Sequence, residues 1–352
     1  MLYYLAGSLQ HYFGPLRLLQ SYAVLITIGI FLGFLLTVFL LPRVYRFLPK
    51  DRGREFTVNP DAAVGKPTGA GIFFISLFVL ILFLIIPLNI TQIAILLLTW
   101  LVMLTGYLDD RSQKSWGEYR KGMLDLILSF AASLVIFNFF YKGAVHFWLP
   151  FTSTVISVNP IAFFIISVLV LWISINTTNC SDGVDGLSGT LVLLALFSLG
   201  IIFYFVIGHS TVAEYLLVPH LTDGARWAVI IFTLSGVLMG YIWHNAFPST
   251  VLMGDAGSRA LGFFIGVCVM LSGNPFLLLM TSTMMLINGG TGLLKVALLR
   301  FFKIKIFHNI RFPLHDHMRK NLSWSPTQIL LKFMIIQILI TLAVLGMFFK
   351  IR

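Results

Sequence analysis

Charge is what this chain has least of. Only 11% of its 352 residues are Asp, Glu, Lys or Arg, and only 13 of them are acidic. Soluble domains carry about a quarter charged residues, so a water-surrounded globule is excluded. Cysteine is almost missing. Cys180 falls in a polar loop and Cys268 deep in an apolar run, which leaves no disulfide framework. Short alternating strands are absent, which argues against a membrane β-barrel. No composition shift marks a linker or a soluble appendage, so residues 1–352 are expected to form a single integral membrane domain.

What is present is apolar. Hydrophobic residues make up 58% of the chain, and runs of roughly 18 or more recur along its length. The reading is all-α: a polytopic bundle of about ten membrane helices. They are expected near 22–48, 68–87, 92–108, 122–141, 160–176, 187–207, 226–243, 258–272, 275–299 and 326–348. The first run is too long for a signal-peptide core and lacks a small-residue cleavage pattern, so it should remain as a helix.

The net charge of +11 would suit nucleic acid, but its placement excludes that partner. Arg43, Arg46, Lys50, Arg52, Arg54 and Lys66 follow the first span, Arg111, Lys114, Arg120 and Lys121 the third, and Arg300, Lys303, Lys305, Arg311, Arg319 and Lys320 the ninth. The opposite loops are nearly bare: 142–159 holds only Lys142, and 208–225 holds no Lys or Arg. By the positive-inside rule the basic loops are cytoplasmic and both termini face outward.

Five polar islands interrupt the apolar runs: Lys66–Gly71, Asp109-Asp110, Asn179–Leu187, Met253–Ser258 and Pro313–His317. The topology places all five on the cytoplasmic side. Asp109-Asp110 reads either as a solvated helix end or as a functional pair. A helix C-terminus disfavours acids, which weakens the first reading. Asp182-Gly183 and Asp185-Gly186 are two turns three residues apart that let backbone approach a ligand between two carboxylates. Asp255 is either an N-cap or a ligand of Mg²⁺, which prefers carboxylate oxygens and keeps waters and substrate phosphates. His315-Asp316-His317 lies among basic residues and fits phosphate contact or proton transfer better than a transition metal. Gly69-Ala70-Gly71 lacks the Lys-Ser/Thr ending of a Walker loop. Asn288-Gly289-Gly290-Thr291-Gly292 predicts a bend in the ninth span, either a packing kink or the opening of a groove for a lipid chain. A transporter is the reading from another class, but its acids should lie near the midplane. The apolar runs show none well inside.

Together these islands, in this order along nearly the whole chain, resemble the polyprenyl-phosphate N-acetylhexosamine-1-phosphate transferases. The segment from Gly208-His209-Ser210 to Tyr215-Leu216 is similar to the muramoyl branch, with the N-acetylglucosamine branch as the alternative. Three positions depart from the family pattern. Pro67-Thr68-Gly69-Ala70-Gly71 replaces Pro-Thr-Met-Gly-Gly, Asp316 replaces the middle of three histidines, and the lysine early in the fourth span has only Arg120 or Lys121 as candidates.

The resemblance implies a bacterial cytoplasmic-membrane enzyme with its active site on the cytoplasmic face. It would transfer phospho-N-acetylmuramoyl-pentapeptide from UDP to undecaprenyl phosphate, giving lipid I for peptidoglycan and releasing UMP, with Mg²⁺ as cofactor. It allows membrane lipid as surroundings and a homodimer as assembly. Asp255 would bind the metal. Asp109 and Asp110 would orient or deprotonate the lipid phosphate or help hold the metal, and His315 and His317 would contact phosphate. Lys66, Thr68, Lys121, Asn179, Asp182 and Asp185 would bind substrate, Asp182 as the candidate for uracil.

Overall fold

A computed structural model describes residues 2–53, 63–150, 152 and 154–350; Arg54 of the first basic loop lies outside them. A short α1 (Leu2–Leu9) precedes the long α2 (Tyr22–Val44), and α3 (Gly71–Ile85), α4 (Ile90–Arg111) and α5 (Glu118–Val135) follow. A two-stranded antiparallel hairpin, β1 (Val145–Trp148) and β2 (Val155–Val158), pairs Val145 with Val158. Then come α6 (Pro160–Cys180), α7 (Leu187–Ile201), α8 (Ser210–Tyr215), α9 (Gly224–Asn245) and α10 (Gly254–Leu271). The ninth span is broken into α11 (Leu277–Thr281), α12 (Thr283–Met285) and α13 (Thr291–Ala297). A surface helix, α14 (Leu314–Leu322), leads into α15 (Pro326–Lys350).

Among the described residues nine helical segments are long and apolar enough to cross a membrane, with the shorter α3 as a tenth apolar helix. In hydrocarbon every backbone polar group needs an internal partner, which is why apolar runs of this length become helices. The chain is a polytopic all-α membrane protein.

One helix organises the rest. The apolar window of α10 is 94% buried inside the protein, against 28% for α2 and 17% for the ninth span. It packs against α3, α4, α6 and α7. Its approach to α3 and α4 requires bare backbone. A Cβ on Gly71 would lie 2.2 Å from the Gly257 nitrogen, and one on Gly106 would lie 2.4 Å from the Asp255 carbonyl oxygen. Small residues permit such contact between membrane helices.

The helix boundaries differ from the expected ones where polar groups settle them. A capping box, Asn89 with Gln92, starts α4 two residues early. At its other end α4 runs through Asp109 and Asp110 to Arg111, so the acid pair sits in the last turn rather than beyond it. Likewise α6 extends to Cys180, putting Asn176 and Asn179 on helix, and α10 begins at Gly254, with Asp255 in its first turn. The second span starts only at Gly71, because Thr68–Ala70 form the turn that enters it. The bend expected in the ninth span is present as an irregular Ser282 and a π-helical turn over Leu286–Gly290. The β-hairpin was not expected. Trp148 fastens it to the end of α10, its indole donating to the Ser272 carbonyl at 2.8 Å and its backbone N–H to Gly273 at 3.0 Å.

The glycine contact is testable. Gly106→Ala should overpack the α4–α10 crossing at a cost of about 1–3 kcal/mol, seen as a lower melting temperature in detergent. An unchanged melt would mean that the crossing can widen freely.

Candidate active site at the N-terminus of α10

Four polar islands and the start of α5 meet in one cavity of about 400 Å³ at the end of the bundle. Thr68, Asp109, Asp110, Lys121, Asn179 and Asp255 line it, together with Lys50, Asp51 and Arg52 from the first basic loop. Each arrives by a local rule. The segment before α3 is pinned beside the entry to α10, since Ala70 and Gly71 donate to the carbonyls of Leu252 and Met253. Asn179 lies on the last turn of α6, where its Oδ1 accepts from the Ser258 hydroxyl on α10 at 3.1 Å.

The two adjacent aspartates do different things. Asp110 accepts the backbone N–H groups of Asp255 and Ala256, one on each carboxylate oxygen, both at 3.0 Å. These donors are among the four that a helix start leaves unpaired, and its positive dipole end favours the charge. Gly254, at φ +67°, makes room: a Cβ there would meet Asp110 Oδ2 at 2.3 Å. Asp109 is buried. Its Oδ1 accepts the Trp116 N–H at 2.6 Å, and its Oδ2 meets Lys121 Nζ at 2.5 Å. The same ammonium reaches Asp255 Oδ2 at 2.9 Å, so one cation joins α4, α5 and α10. Arg120 turns away and stacks over the Trp116 ring at 3.7 Å. Of the two candidates for the early lysine of the fourth span, Lys121 is therefore the one in the cavity.

The remaining predicted residues lie beside this cavity rather than in its lining. Lys66 donates to Ser249 Oγ at 3.0 Å and stands 3.9 Å from Asp185, whose Oδ2 accepts the Ser249 N–H. His315 is buried. Its backbone N–H and its Nδ1 both meet Asn288 Oδ1, at 2.9 and 3.1 Å. Its Nε2 lies where a Cβ on Gly183 would be, 2.3 Å away, so the histidine island packs onto the first Asp-Gly turn. Asp182 lies one residue before that contact. His317 Nδ1 accepts the Arg311 N–H at 3.2 Å.

Metal binding can be judged from the donors. Among the described residues no group of three His, Cys, Asp or Glu forms a cage. Asp109 and Asp255 do converge on one cation, with hard oxygens only. That suits an ion which takes one or two carboxylates and completes its shell with water and substrate phosphate, as Mg²⁺ does.

Sequence reasoning missed Lys50, Asp51 and Arg52 as cavity residues, because the two cations had served only as topology charges and Asp51 between them had not been singled out. It also missed Asp125, a buried acid of α5, whose Oδ1 accepts from Arg259 Nη2 at 2.5 Å and Nε at 3.2 Å. The reading of no acid well inside the spans did not foresee this pair, whose acid lies about two turns into α5. Its members are distant in sequence and each passes singly for a helix-end charge.

Residues 92–273 match the family described as glycosyl transferase family 4. The match includes every cavity residue from α4, α5, α6 and α10. The phospho-N-acetylmuramoyl-pentapeptide-transferase of Treponema pallidum (strain Nichols) is 60% identical over 97% of this chain and 94% of its own length. The chain belongs to the phospho-N-acetylmuramoyl-pentapeptide transferases. Members from Campylobacter hominis and Nitratiruptor are 30% and 27% identical, over 96% and 98% of this chain and 97% and 98% of their own. In this chain four of the islands share one cavity, and Asp110 caps the helix that carries Asp255.

Asp110→Ala should cost about 1–2 kcal/mol of stability as a lost helix cap, and Asp110→Asn less, since one acceptor remains. Equal melting temperatures for the two variants in detergent would refute the capping role.

Proposed function

We propose that this cavity carries out the transfer for which its relatives are named. UDP-N-acetylmuramoyl-pentapeptide is the donor, undecaprenyl phosphate the acceptor, and lipid I and UMP the products. The observation that carries the reading is Lys121 set between Asp109 and Asp255, at the edge of an apolar bundle and beneath the basic Lys50 and Arg52. Both substrates are anionic, so the reaction needs charge neutralisation at a place that lipid and water can both reach.

A phosphate oxygen of the lipid forms a bond to the phosphorus that bears the sugar. The bond from that phosphorus to the oxygen of UMP breaks, and UMP leaves with the electron pair. Positioning and electrostatics supply most of the rate in such transfers. Lys121 neutralises charge between the two phosphates, and Asp109 fixes Lys121. Asp110 is a positioning residue that sets the N-terminus of α10. Thr68, Lys50 and Arg52 receive the diphosphate. Asn179 and the adjoining Asp182 and Asp185 run bind the nucleoside side, with His315 seated against that run. Asp255, with Asp109, is the pair suited to hold Mg²⁺, which when bound would offset diphosphate charge and stabilise the departing UMP. Both oxygens of Asp110 already accept backbone N–H groups of α10. This favours direct attack by the lipid phosphate over a covalent intermediate on Asp110. The basic loops support a cavity on the cytoplasmic face with both termini outside, and the reading takes the membrane to be a bacterial cytoplasmic membrane.

Purified protein in detergent, given undecaprenyl phosphate and the muramoyl donor, should release UMP only with Mg²⁺, and should not do so with UDP-N-acetylglucosamine. Lys121→Ala should lower kcat by about 100-fold or more, as does loss of a charge-stabilising donor. Arg120→Ala, which removes only a ring-stacked cation, should change it about two- to fivefold. Asp255→Asn should abolish metal-dependent turnover in protein that still folds. Release from the glucosamine donor alone would move the chain to the sister branch, and full activity of Asp255→Asn would sink the metal assignment.

A further inference from the structure

Below the cavity lies a second ion pair that the proposed chemistry does not use. Asp125 and Arg259 are 2% and 1% exposed at their side chains, whereas Lys121 and Asp255 are 23% and 21% exposed. Lys121 and Asp125 stand four residues apart on α5, and Asp255 and Arg259 four apart on α10, so each couple shares one helix face. The result is two rungs between two helices. In the upper rung the cation comes from α5 and the anion from α10. In the lower rung the polarity is reversed.

Fold stability alone does not account for the lower rung. Taking two charges out of water is costly, and apolar side chains of similar volume often serve a core as well or better. Bonding is also incomplete, because Arg259 Nη1 is buried without a hydrogen-bond partner. What the pair does supply is register. Both helices begin beside the same cavity, so 121 faces 255 and 125 faces 259. A slip of one turn would set Asp125 against Asp255, or Lys121 against Arg259, and bury like charges face to face. Over its regular length α5 packs on α4 and α6, where Trp172 donates to the Gly122 carbonyl at 3.2 Å and Ser133 to the Ser167 hydroxyl at 2.8 Å. Its direct meeting with α10 is chiefly through the side chains of the two rungs. The charges also lie close enough for Asp125 to interact with both Lys121 and Asp255.

We infer that Asp125 and Arg259 form a positioning pair whose reversed polarity locks α5 in register with α10 and so holds Lys121 between Asp109 and Asp255. The catalytic consequence rests on the transfer reading above; the placement of Lys121 does not.

Three variants of the full chain test it. Asp125→Leu/Arg259→Leu removes both charges. Asp125→Arg/Arg259→Asp keeps an ion pair but makes the two rungs alike, so a one-turn slip is no longer opposed. Arg259→Lys keeps the charge pattern. Two readouts are taken: kcat and KM for UMP release, and the rate at which an amine-directed reagent modifies Lys121, followed by peptide mass spectrometry. Both double variants should melt near the wild type, lose kcat about 100-fold, as misplacement by an ångström can cause, with KM little changed, and label at Lys121 several times faster. Arg259→Lys should stay near wild type in both readouts. Recovery of wild-type kcat and labelling by the exchanged pair would show a purely structural salt bridge and overturn the inference. Should the double variants fail to insert, Arg259→Lys decides: lost turnover, or faster Lys121 labelling despite the retained charge, would overturn it. Failure of the transfer reading shows separately, as wild-type protein that releases no UMP, and the labelling comparison then still decides the pairing.

Discussion

The first turn of α10 carries backbone N–H groups that no intrahelical carbonyl can take, and this helix is the most enclosed of the spans. An unsatisfied donor at such a place is expensive. Asp110 meets two of these donors with one carboxylate, but only if α4 ends against the start of α10. That contact in turn demands bare backbone at Gly106 and a left-handed turn at Gly254. The rest of the site follows from this. With α4 anchored, Asp109 faces the cavity from one side and Asp255, in the first turn of α10, from the other. The distance between their carboxylates is one that a single ammonium spans.

The same contact resolves an apparent conflict in α4. Two acids at a helix C-terminus oppose the dipole of their own helix, and intrinsic preference would expel them. Here two backbone N–H groups at the start of a neighbouring helix bond Asp110, and a lysine from α5 meets Asp109, which offsets part of that penalty. The compensation is mutual: α10 needs an anion at its start, and α4 has one too many at its end. A membrane protein has few charges to place, and this one concentrates them where helix termini and side chains neutralise each other at the edge of the apolar slab.

Much of this was legible in the sequence, and the limits have physical causes. The spans could be counted because hydrocarbon thickness dictates the length of an apolar run. The islands could be gathered because loop charge sets orientation. The division of labour between Asp109 and Asp110 was not legible. Successive residues on a helix point about 100° apart, and nothing local says which direction holds α10. The choice between Arg120 and Lys121 had the same cause, and Trp116 settled it by taking the arginine onto its ring. The Asp125–Arg259 pair joins residues 134 positions apart, so neither end announces the other. The hairpin of β1 and β2 was hidden for another reason. Its four-residue strands are too short for an alternating pattern to stand out, and Trp148 holds it through bonds to backbone.

Asn288 shows how a signal can be read correctly and still be incomplete. Its glycine neighbours foretold a bend, and the π-helical turn over Leu286–Gly290 is that bend. The side chain within the turn is what ties the bend to the site. Asn288 Oδ1 receives both the backbone N–H and the Nδ1 of His315, and that ring rests on Gly183 in the run after α6. The chain from bend to histidine to Asp-Gly turn is therefore continuous at contact distance. On the other side of the bend, Gly289 lies so near the Thr177 carbonyl that a Cβ would stand 2.6 Å from it. Closely packed elements of this kind resist small independent displacements. The broken span, the histidine island and the end of α6 thus hold one another in place, and a displacement of the ninth span reaches Gly183 through a single imidazole ring.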